Sequence, residues 1–244
     1  MAEIIYGKQA IREALRTGKR VRRLLVAGSA RETAALKDVL GLAAERQVPI
    51  QTVERTELDH LADHHQGIAA EVDPYAYTDF AELLYAARAA TPPLYLVLDS
   101  VQDPQNFGTL LRTAAAVGAA GVLLPEHHAV GVTPGVRRAS AGAVEHLRVA
   151  RVTNLVRALE QLKAAGVWVV GLDAHAAEPY DAVDARGPTA VIVGGEEAGL
   201  RRLVREACDF LVALPMEPAL DSLNAAVAGS LVLYEYYRQR QRTR

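Results

Sequence analysis

Three stretches of the sequence group amide, carboxylate and guanidinium side chains, and two of them also contain glycine. They are NFGTLLR at residues 106–112, GGEEAGL at residues 194–200 and PMEPALDSLN at residues 215–224. Arg112 lies four residues after Gly108, so a bare patch of helix surface would lie beside its side chain. A phosphate could pack there and accept two hydrogen bonds from the guanidinium. Taken alone, Asn106 also fits a helix cap and Arg112 a surface position, and the residue types leave both interpretations open.

The glycines of residues 194–200 do not belong to a nucleotide-binding motif. Leu200 and Arg201 stand where a P-loop requires lysine followed by serine or threonine. The spacing does not fit G-x-G-x-x-G, and that pattern occurs nowhere else in the chain. By itself the stretch is typical of a strand-to-helix turn, in which glycine lets another group approach the backbone closely.

Each of the three stretches follows a short apolar segment with the length of a buried strand. These segments are LYLVLD, TAVIVGG and FLVAL, and helical patterns alternate with such segments from Leu94 onwards. Buried strands that alternate with helices predict an α/β fold with a parallel sheet covered on both faces. Ligands of such sheets bind at the carboxyl ends of the strands, so the pattern gathers all three stretches at one edge.

The pattern divides the chain into two predicted domains with a linker between them. Residues 1–73 alternate short strands and helices, and no nucleophile there pairs with an evident base, which favours a binding role. Residues 74–92 begin and end in proline and carry one helical pattern, as is typical of a linker. Residues 93–244 form the parallel-sheet domain.

Three helix starts are predicted from side chains that can accept a hydrogen bond from the first helical turn. Asn106 would cap a helix over residues 107–117, Thr153 one over residues 154–165, and Ser222 the last helix. On this last helix, apolar residues recur at three- and four-residue steps, and the face they form would close the core. Its members are Leu223, Ala226, Val227, Ser230, Leu231 and Tyr234.

Composition restricts the class of protein and its compartment. The 244 residues are 50% hydrophobic and carry a net charge of −2, which argues weakly against nucleic-acid binding by bulk charge. No apolar run approaches the roughly 18 residues of a membrane span, and the first residues lack the pattern of a signal peptide. The single Cys208 excludes an internal disulfide and fits a reducing cytoplasm.

Two basic runs and one group of histidines are further candidates for binding sites. One run comprises Arg16, Lys19, Arg20, Arg22 and Arg23, and the other ends the chain with Arg238, Arg240, Arg242 and Arg244. Such runs can bind phosphate, although they are more often solvated surface. His60, His64 and His65 lie close together without a cysteine or a separate histidine to complete a metal site, so no metal ion is predicted.

The order and spacing of the three stretches resemble the three motifs of the SpoU (TrmH-like) RNA ribose 2′-O-methyltransferases, and the resemblance covers nearly the whole chain. Near the N-terminus, IYGKQAIREAL and HHQGIAAEV resemble the substrate-binding domain of the bacterial 23S rRNA guanosine 2′-O-methyltransferase branch. The resemblance implies a small L30e-like α/β domain followed by a SPOUT-type catalytic domain. In that catalytic domain, the C-terminal segment threads a loop and forms a trefoil knot.

The resemblance also implies a methyl donor, partners and site residues. The donor is S-adenosylmethionine, and the residues implied to hold it are Gly194, Leu214, Met216 and Leu223. The implied catalytic residues are Asn106, Arg112, Glu196, Ser222 and Asn224, and the run from Arg16 to Arg23 would contact RNA. The implied partner is 23S rRNA, with neither DNA nor a membrane, and the implied assembly is a cytoplasmic homodimer joined through the catalytic domain.

Two positions depart from the family motifs and keep alternatives open. Glu197 and Pro218 stand where the family usually has glycine. The alternatives are a 2′-O-methyltransferase that acts on tRNA or on an rRNA adenosine, as in the resistance type, and an RNA-binding protein that has lost catalysis. A guanidinium does not readily lose its proton, so Arg112 is predicted to bind phosphate and orient the ribose hydroxyl, with the general base unassigned.

Overall fold

A computed structural model describes residues 2–18, 21–87, 91–217, 219 and 222–241. The chain forms two compact units. The N-terminal unit consists of Met1–Ala76 together with Val132–His146, and the C-terminal unit consists of Tyr77–Gly131 and Leu147–Arg244. The domain bounds that the sequence pattern gives, residues 1–73 and 93–244 with a linker over residues 74–92, stay a prediction, and residues 132–146 pack within the N-terminal unit.

Strands and helices alternate along the first part of the N-terminal unit. The strands are β1 (Glu3–Tyr6), β2 (Val21–Ala27), β3 (Ile50–Val53) and β4 (Ile68–Val72), and the helices are α1 (Lys8–Arg16), α2 (Ala34–Glu45) and α3 (Arg55–Leu61). The sheet order is β1–β4–β2–β3, with β4 antiparallel to both neighbours and β2 parallel to β3. Strand β1 has only one buried residue, Ile5, so no apolar alternation predicts it.

The C-terminal unit alternates strands and helices, as the sequence pattern predicts. The strands are β5 (Leu94–Asp99), β6 (Gly121–Pro125), β7 (Val149–Val152), β8 (Trp168–Leu172), β9 (Glu178–Pro179), β10 (Thr189–Gly194) and β11 (Phe210–Ala213). The helices are α4 (Phe80–Ala86), α5 (Pro104–Ala116), α7 (Leu155–Ala164), α8 (Arg202–Ala207) and α9 (Ala225–Gln241), while α6 (Pro134–Ala139) belongs to the N-terminal unit.

The strands of the C-terminal unit form one parallel sheet in the order β7–β6–β5–β10–β8–β11–β9. This order inserts β10 between β5 and β8, so the strands that precede the first and second motifs are direct neighbours. The α/β fold with a parallel sheet is confirmed, and the trefoil knot stays a prediction. In the part of the chain that the structure describes, no helix is both long and apolar enough to cross a membrane.

A buried ion pair explains why residues 132–146 belong to the N-terminal unit. Arg137 on α6 is 1% exposed, and its Nε lies 2.7 Å from Oε1 of Glu145 in the 3-10 helix Ala143–His146. Its Nη1 also donates to Oε2 of Glu3 in β1 at 3.3 Å. A buried guanidinium requires such carboxylate partners, and one of them lies more than a hundred residues away in sequence.

Helix α5 begins earlier than predicted, which changes the role of Asn106. The helix starts at Pro104, a residue favoured at the first helical position. Asp103 is its N-cap and accepts from the backbone N–H of Gln105 at 3.0 Å. Asn106 therefore lies inside the first turn as a residue that is only 8% exposed, and its carboxamide does not cap the helix.

The other two predicted caps are also wrong by one or two positions. Asn154, not Thr153, caps α7, and its Oδ1 accepts from a backbone N–H in the first turn at 3.1 Å. Helix α9 begins at Ala225, so Ser222 lies outside it. Asn224 is the cap, because its Oδ1 accepts from the N–H groups of the second and third helical residues at 2.9 and 3.2 Å.

The apolar face predicted for α9 is only partly buried. The buried residues of this helix are Ala226, Gly229, Val232, Leu233 and Tyr236. Most of the predicted face lies outward instead, with Leu223 37%, Val227 47%, Leu231 47% and Tyr234 52% exposed. Apolar side chains thus occur on more than one side of α9, and periodicity alone does not reveal which side the sheet covers.

Candidate active site

A cavity of about 490 Å³ opens at the carboxyl ends of β8, β10 and β11. Its walls come from the loop of residues 194–200, from the residues that follow β8 and β11, and from the start of α9. Gly194, Leu214, Met216 and Leu223, the four residues implied to hold the donor, all line it. A volume of about 300–1,000 Å³ is typical of pockets for small organic ligands. The role of these four residues in binding stays a prediction.

Glycine is required where the loop of residues 194–200 packs against backbone. A side chain at Gly194 would overlap the backbone of Gly199, and one at Gly195 would lie 2.6 Å from the carbonyl oxygen of Ser100. The loop closes on itself, because Gly195 and Gly199 exchange two backbone hydrogen bonds of 3.1 and 3.0 Å. Glu197 lies on the exposed turn of this loop and is not among the positive-φ residues, so the loop needs no glycine at that position.

A chain of hydrogen bonds joins one residue from each motif. Because Oδ1 of Asn224 is occupied by backbone N–H groups of α9, its Nδ2 is left to donate, and it does so to Oδ1 of Asn106 at 3.0 Å. Nδ2 of Asn106 in turn donates to Oε1 of Glu196 at 2.7 Å. The start of α9 therefore sets the orientation of both amides, and the last acceptor is a carboxylate at the rim of the cavity.

The remaining two predicted catalytic residues lie outside this chain of hydrogen bonds. Ser222 is exposed and lines the cavity. Arg112 is exposed on α5, six residues after Asn106 and so about 9 Å further along the helix axis. Within the described residues its guanidinium makes no ion pair, which leaves it available to an anion from outside the chain. The catalytic roles of all five residues stay predictions.

The basic run of the N-terminal unit is partly neutralised. Nη2 of Arg22 lies 2.6 Å from Asp73, and Nε of Arg23 lies 2.7 Å from Glu71. Arg16 is 3.8 Å from Glu13, while Lys19 and Arg20 lie outside the described residues. Arginines paired across a sheet are weaker candidates for phosphate contacts than free ones, because a phosphate would have to displace the carboxylates. The role of this run in RNA binding stays a prediction.

Sequence reasoning missed two ion pairs next to the cavity. Asp99 at the end of β5 is fully buried and binds Arg201, and Asp173 after β8 lies 3.0 Å from Nε of Arg205. The available signal was an aspartate that ends each of two apolar strands, at the edge where ligands bind.

Cys208 and His65 are a thiol and an imidazole that lie apart from the hydrogen-bonded chain. Burial, and then the charge of Asp209, raise the pKa of the Cys208 thiol to about 12, so the thiol is neutral at physiological pH. His65 is buried and lies 2.8 Å from Asp59, apart from any group of metal ligands. Among the residues that the structure describes, no three histidine, cysteine, aspartate or glutamate side chains are grouped to hold a metal ion.

Two family models match the two parts of the chain. One, described as the SpoU rRNA methylase family, matches residues 93–234. The chain belongs to this family. The other, described as RNA 2′-O ribose methyltransferase substrate binding, matches residues 4–78. As a SpoU family member, the chain is an RNA methyltransferase with an N-terminal substrate-binding domain, which confirms the resemblance stated above.

Relatives of this SpoU family member match over most of its length. The putative TrmH family tRNA/rRNA methyltransferase YacO of Bacillus subtilis is 43% identical, with 98% of this chain and 96% of that protein covered. The crystal structure of the SpoU methyltransferase AviRb from Streptomyces viridochromogenes, in complex with AdoMet, is 28% identical with a TM-score of 0.82 and covers 98% of this chain and 90% of that one. A TrmH/SpoU tRNA-modifying enzyme of A. aeolicus is 27% identical with a TM-score of 0.56, and covers 67% of this chain and 83% of that one.

Proposed function

We propose that this protein transfers a methyl group from S-adenosylmethionine to the ribose 2′-hydroxyl of a guanosine in 23S rRNA. The observation that carries the proposal is the hydrogen-bonded chain Asn224–Asn106–Glu196 beside a cavity at the carboxyl ends of β8, β10 and β11. It joins one residue of each family motif at the place where an α/β sheet binds its ligand.

The residues around the cavity fit the proposed donor. Its wall includes Gly194, Gly195 and Gly199, and the lack of side chains at these positions lets an adenosine pack closely against the backbone. Leu214, Met216 and Leu223 add apolar surface for its uncharged parts. When bound, the donor supplies an electrophilic methyl group on a sulfonium, whose leaving group is a neutral thioether.

The chain's own polar residues bind and orient the acceptor. A ribose hydroxyl is a poor nucleophile until its proton is shared or removed, and Glu196 offers a carboxylate whose Oε1 is held by Asn106. Arg112 carries an exposed guanidinium that makes no ion pair among the described residues, which suits bidentate binding of an RNA phosphate. Holding the phosphate places the adjoining ribose, and such positioning can lower a barrier by several kcal/mol.

The N-terminal unit favours ribosomal RNA over tRNA as the substrate. The tRNA-modifying neighbour from A. aeolicus matches only 67% of this chain, whereas an rRNA methyltransferase from Sinorhizobium meliloti, 25% identical with a TM-score of 0.77, matches 97% of it. The part that differs corresponds in size to the match with the substrate-binding family model, residues 4–78. We place the activity in the cytoplasm, because the lone Cys208 fits a reducing compartment and newly made bacterial rRNA is found there.

The exposed stripe on α9 supports a homodimer. The stripe consists of Val227, Leu231 and Tyr234 on α9 together with Leu223 just before it, which are spaced by three or four residues and are 37–52% exposed. A second, mostly apolar hollow of about 470 Å³ lies beside them and is lined by Tyr180, Tyr234 and Tyr237 among others. Contiguous apolar surface with tyrosines is typical of protein interfaces, and the family resemblance makes a second copy the occupant.

Methylation mapping in a strain that lacks the gene tests the proposal. We expect one guanosine of 23S rRNA to lose its 2′-O-methyl group, and to regain it with the wild-type gene but not with an Asn106→Ala variant. Loss at a tRNA position or at an rRNA adenosine would support the corresponding alternative substrate. Unchanged methylation of all RNA, together with RNA binding but no S-adenosylmethionine binding by the purified protein, would identify a non-catalytic RNA-binding protein.

A further inference from the structure

The loop that carries Glu196 is tied at its far end to a buried carboxylate. Asp99, the last residue of β5, is fully buried. Its Oδ2 accepts from the backbone N–H of Arg201 at 2.8 Å, and its Oδ1 accepts from Nε of the same residue at 2.6 Å. A buried carboxylate is costly unless its oxygens are paired, so Arg201 satisfies both and is held in one position.

Asp99 also lies beside the near end of the same loop. In the parallel pairing of β5 with β10, Asp99 is in register with Gly194, where the loop begins. The next residue, Ser100, has a φ of +67° and brings its carbonyl oxygen under Gly195. Asp99 therefore contacts the loop's frame at both ends, once through the sheet and once through Arg201.

We propose that Asp99 and Arg201 are positioning residues that hold the loop of residues 194–200 in its working shape. This loop carries Glu196 to its hydrogen bond with Asn106, and it forms one wall of the cavity. If the pair is broken, the loop loses its attachment at Arg201 and is left with its two backbone hydrogen bonds between Gly195 and Gly199 and the bond of Glu196 to Asn106. The proposal rests on the proposed function, because it concerns how the donor cavity and Glu196 are kept in place.

The test compares two variants of the pair with a matched control. Asp99→Asn keeps the shape of the side chain and removes its charge, and Arg201→Ala removes the guanidinium. The control is Arg202→Ala, because Arg202 is the next residue, its side chain is 76% exposed, and it pairs with Glu206 on the surface of α8. S-adenosylmethionine affinity is measured by calorimetry without RNA, and hydrogen exchange of residues 195–200 is compared with that of β7.

We expect both pair variants to bind S-adenosylmethionine about tenfold more weakly or worse, the range expected when a hydrogen bond to a charged group is lost. Exchange of the loop amides should accelerate while that of β7 does not, and Arg202→Ala should behave as wild type. If Arg201 served only to contact RNA, neither affinity without RNA nor loop exchange would change, and the proposal would be overturned.

Two further results keep the inference separate from the proposed function. The double variant Asp99→Asn with Arg201→Ala should be no worse than the more affected single variant, since both changes break one interaction; strictly additive losses would contradict the pairing. If Asp99→Asn does not fold, Arg201→Lys takes its place in the test. Its affinity for S-adenosylmethionine should lie between those of wild type and Arg201→Ala. A wild-type protein that does not bind S-adenosylmethionine would refute the proposed function, whereas equal binding by wild type and both single variants would refute only the positioning role.

Discussion

At the scale of single residues, Asn224 orients the polar groups of the site. Two backbone N–H groups of α9 occupy its carbonyl oxygen, so its amide nitrogen donates to Asn106, whose own nitrogen donates to Glu196. Each residue has one possible orientation in this chain, because a carboxylate can only accept. Arg112 stands apart, and its predicted role depends on RNA rather than on a partner within the protein.

Replacing Arg112 tests whether it positions the RNA. We expect Arg112→Ala to lose most turnover with almost unchanged S-adenosylmethionine affinity, because the cavity is lined by other segments. Arg112→Lys keeps the charge without the planar fork and should also fail. The control is Arg157→Ala, because Arg157 is exposed on α7. Its hydrogen bond to the cap residue Asn154 is made by its backbone N–H, which alanine keeps. A lysine variant within about threefold of wild type, or about 0.7 kcal/mol of barrier, would contradict the positioning role.

The buried thiol of Cys208 predicts a loss of stability in alkaline solution. Burial raises its pKa from 9.0 to about 12, so between those values the unfolded chain loses this proton while the folded chain keeps it. Stability supplied by the protonated thiol is therefore complete below pH 9 and declines as pH rises towards 12. Urea unfolding at pH 9 and pH 10 should show wild type losing about 1 kcal/mol more than Cys208→Ala. Equal losses in the two proteins would be incompatible with the raised pKa.

At the scale of elements, α9 is held at a fixed depth against α5 and β10. A side chain at Gly229 would lie 2.6 Å from Leu110 of α5 and 2.7 Å from Val193 of β10, so only glycine permits this approach. Ser230 and Thr113 share a hydrogen bond of 2.8 Å across the same two helices. This packing places the first turn of α9, and with it Asn224, next to Asn106.

Two asparagines cap helices, Asn154 on α7 and Asn224 on α9, and replacing each in turn separates an effect on stability from an effect on catalysis. Asn224→Ala removes the cap of α9 and the donor to Asn106, whereas Asn154→Ala removes only the cap of α7. We expect each to lower the free energy of unfolding by about 1 kcal/mol. Methyl transfer should fall sharply with Asn224→Ala and remain near the wild-type rate with Asn154→Ala. Comparable activity in both variants would mean that Asn224 serves α9 alone.

At the scale of the whole molecule, the exposed apolar stripe on α9 is the surface through which we propose that two copies associate. It groups several large apolar side chains on or just before α9, and the same segment borders the cavity, since Ala225 in the first turn of the helix and Leu223 before it both line that cavity. Pairing two copies over this stripe would therefore place the mouth of each site near the interface. Assembly and catalysis are then expected to depend on the same helix.

A charge placed on the stripe should prevent assembly. We expect the wild-type protein to be a dimer by light scattering at micromolar concentration and Leu231→Asp to be a monomer, because an aspartate buried in an apolar interface would be unpaired. Leu203→Asp is the control, since Leu203 is similarly exposed, at 54%, but lies on α8. A monomeric wild type, or a Leu231→Asp variant that still forms dimers, would exclude this interface.

The sequence by itself determined the α/β class and the edge at which the three motifs meet. Both follow from local patterns, because strand and helix periodicities are short-range and parallel strands end on the same side of a sheet. Those patterns correctly indicate β5, β10 and β11 as the strands that precede the motifs. Local pattern does not fix the start of each helix, since Asp103, Asn106, Thr153 and Asn154 can all act as caps and packing selects among them.

Only the tertiary structure decided which polar groups are free and which are paired. Arg22 meets Asp73 across 51 positions, Arg23 meets Glu71 across 48, and Asn224 meets Asn106 across 118. Such pairs depend on strand order and on the depth of helix packing, and neither has a local signature in sequence. For the same reason, the sequence does not predict the ion pair between Arg137 and Glu3. It also does not predict which apolar side chains of α9 are exposed.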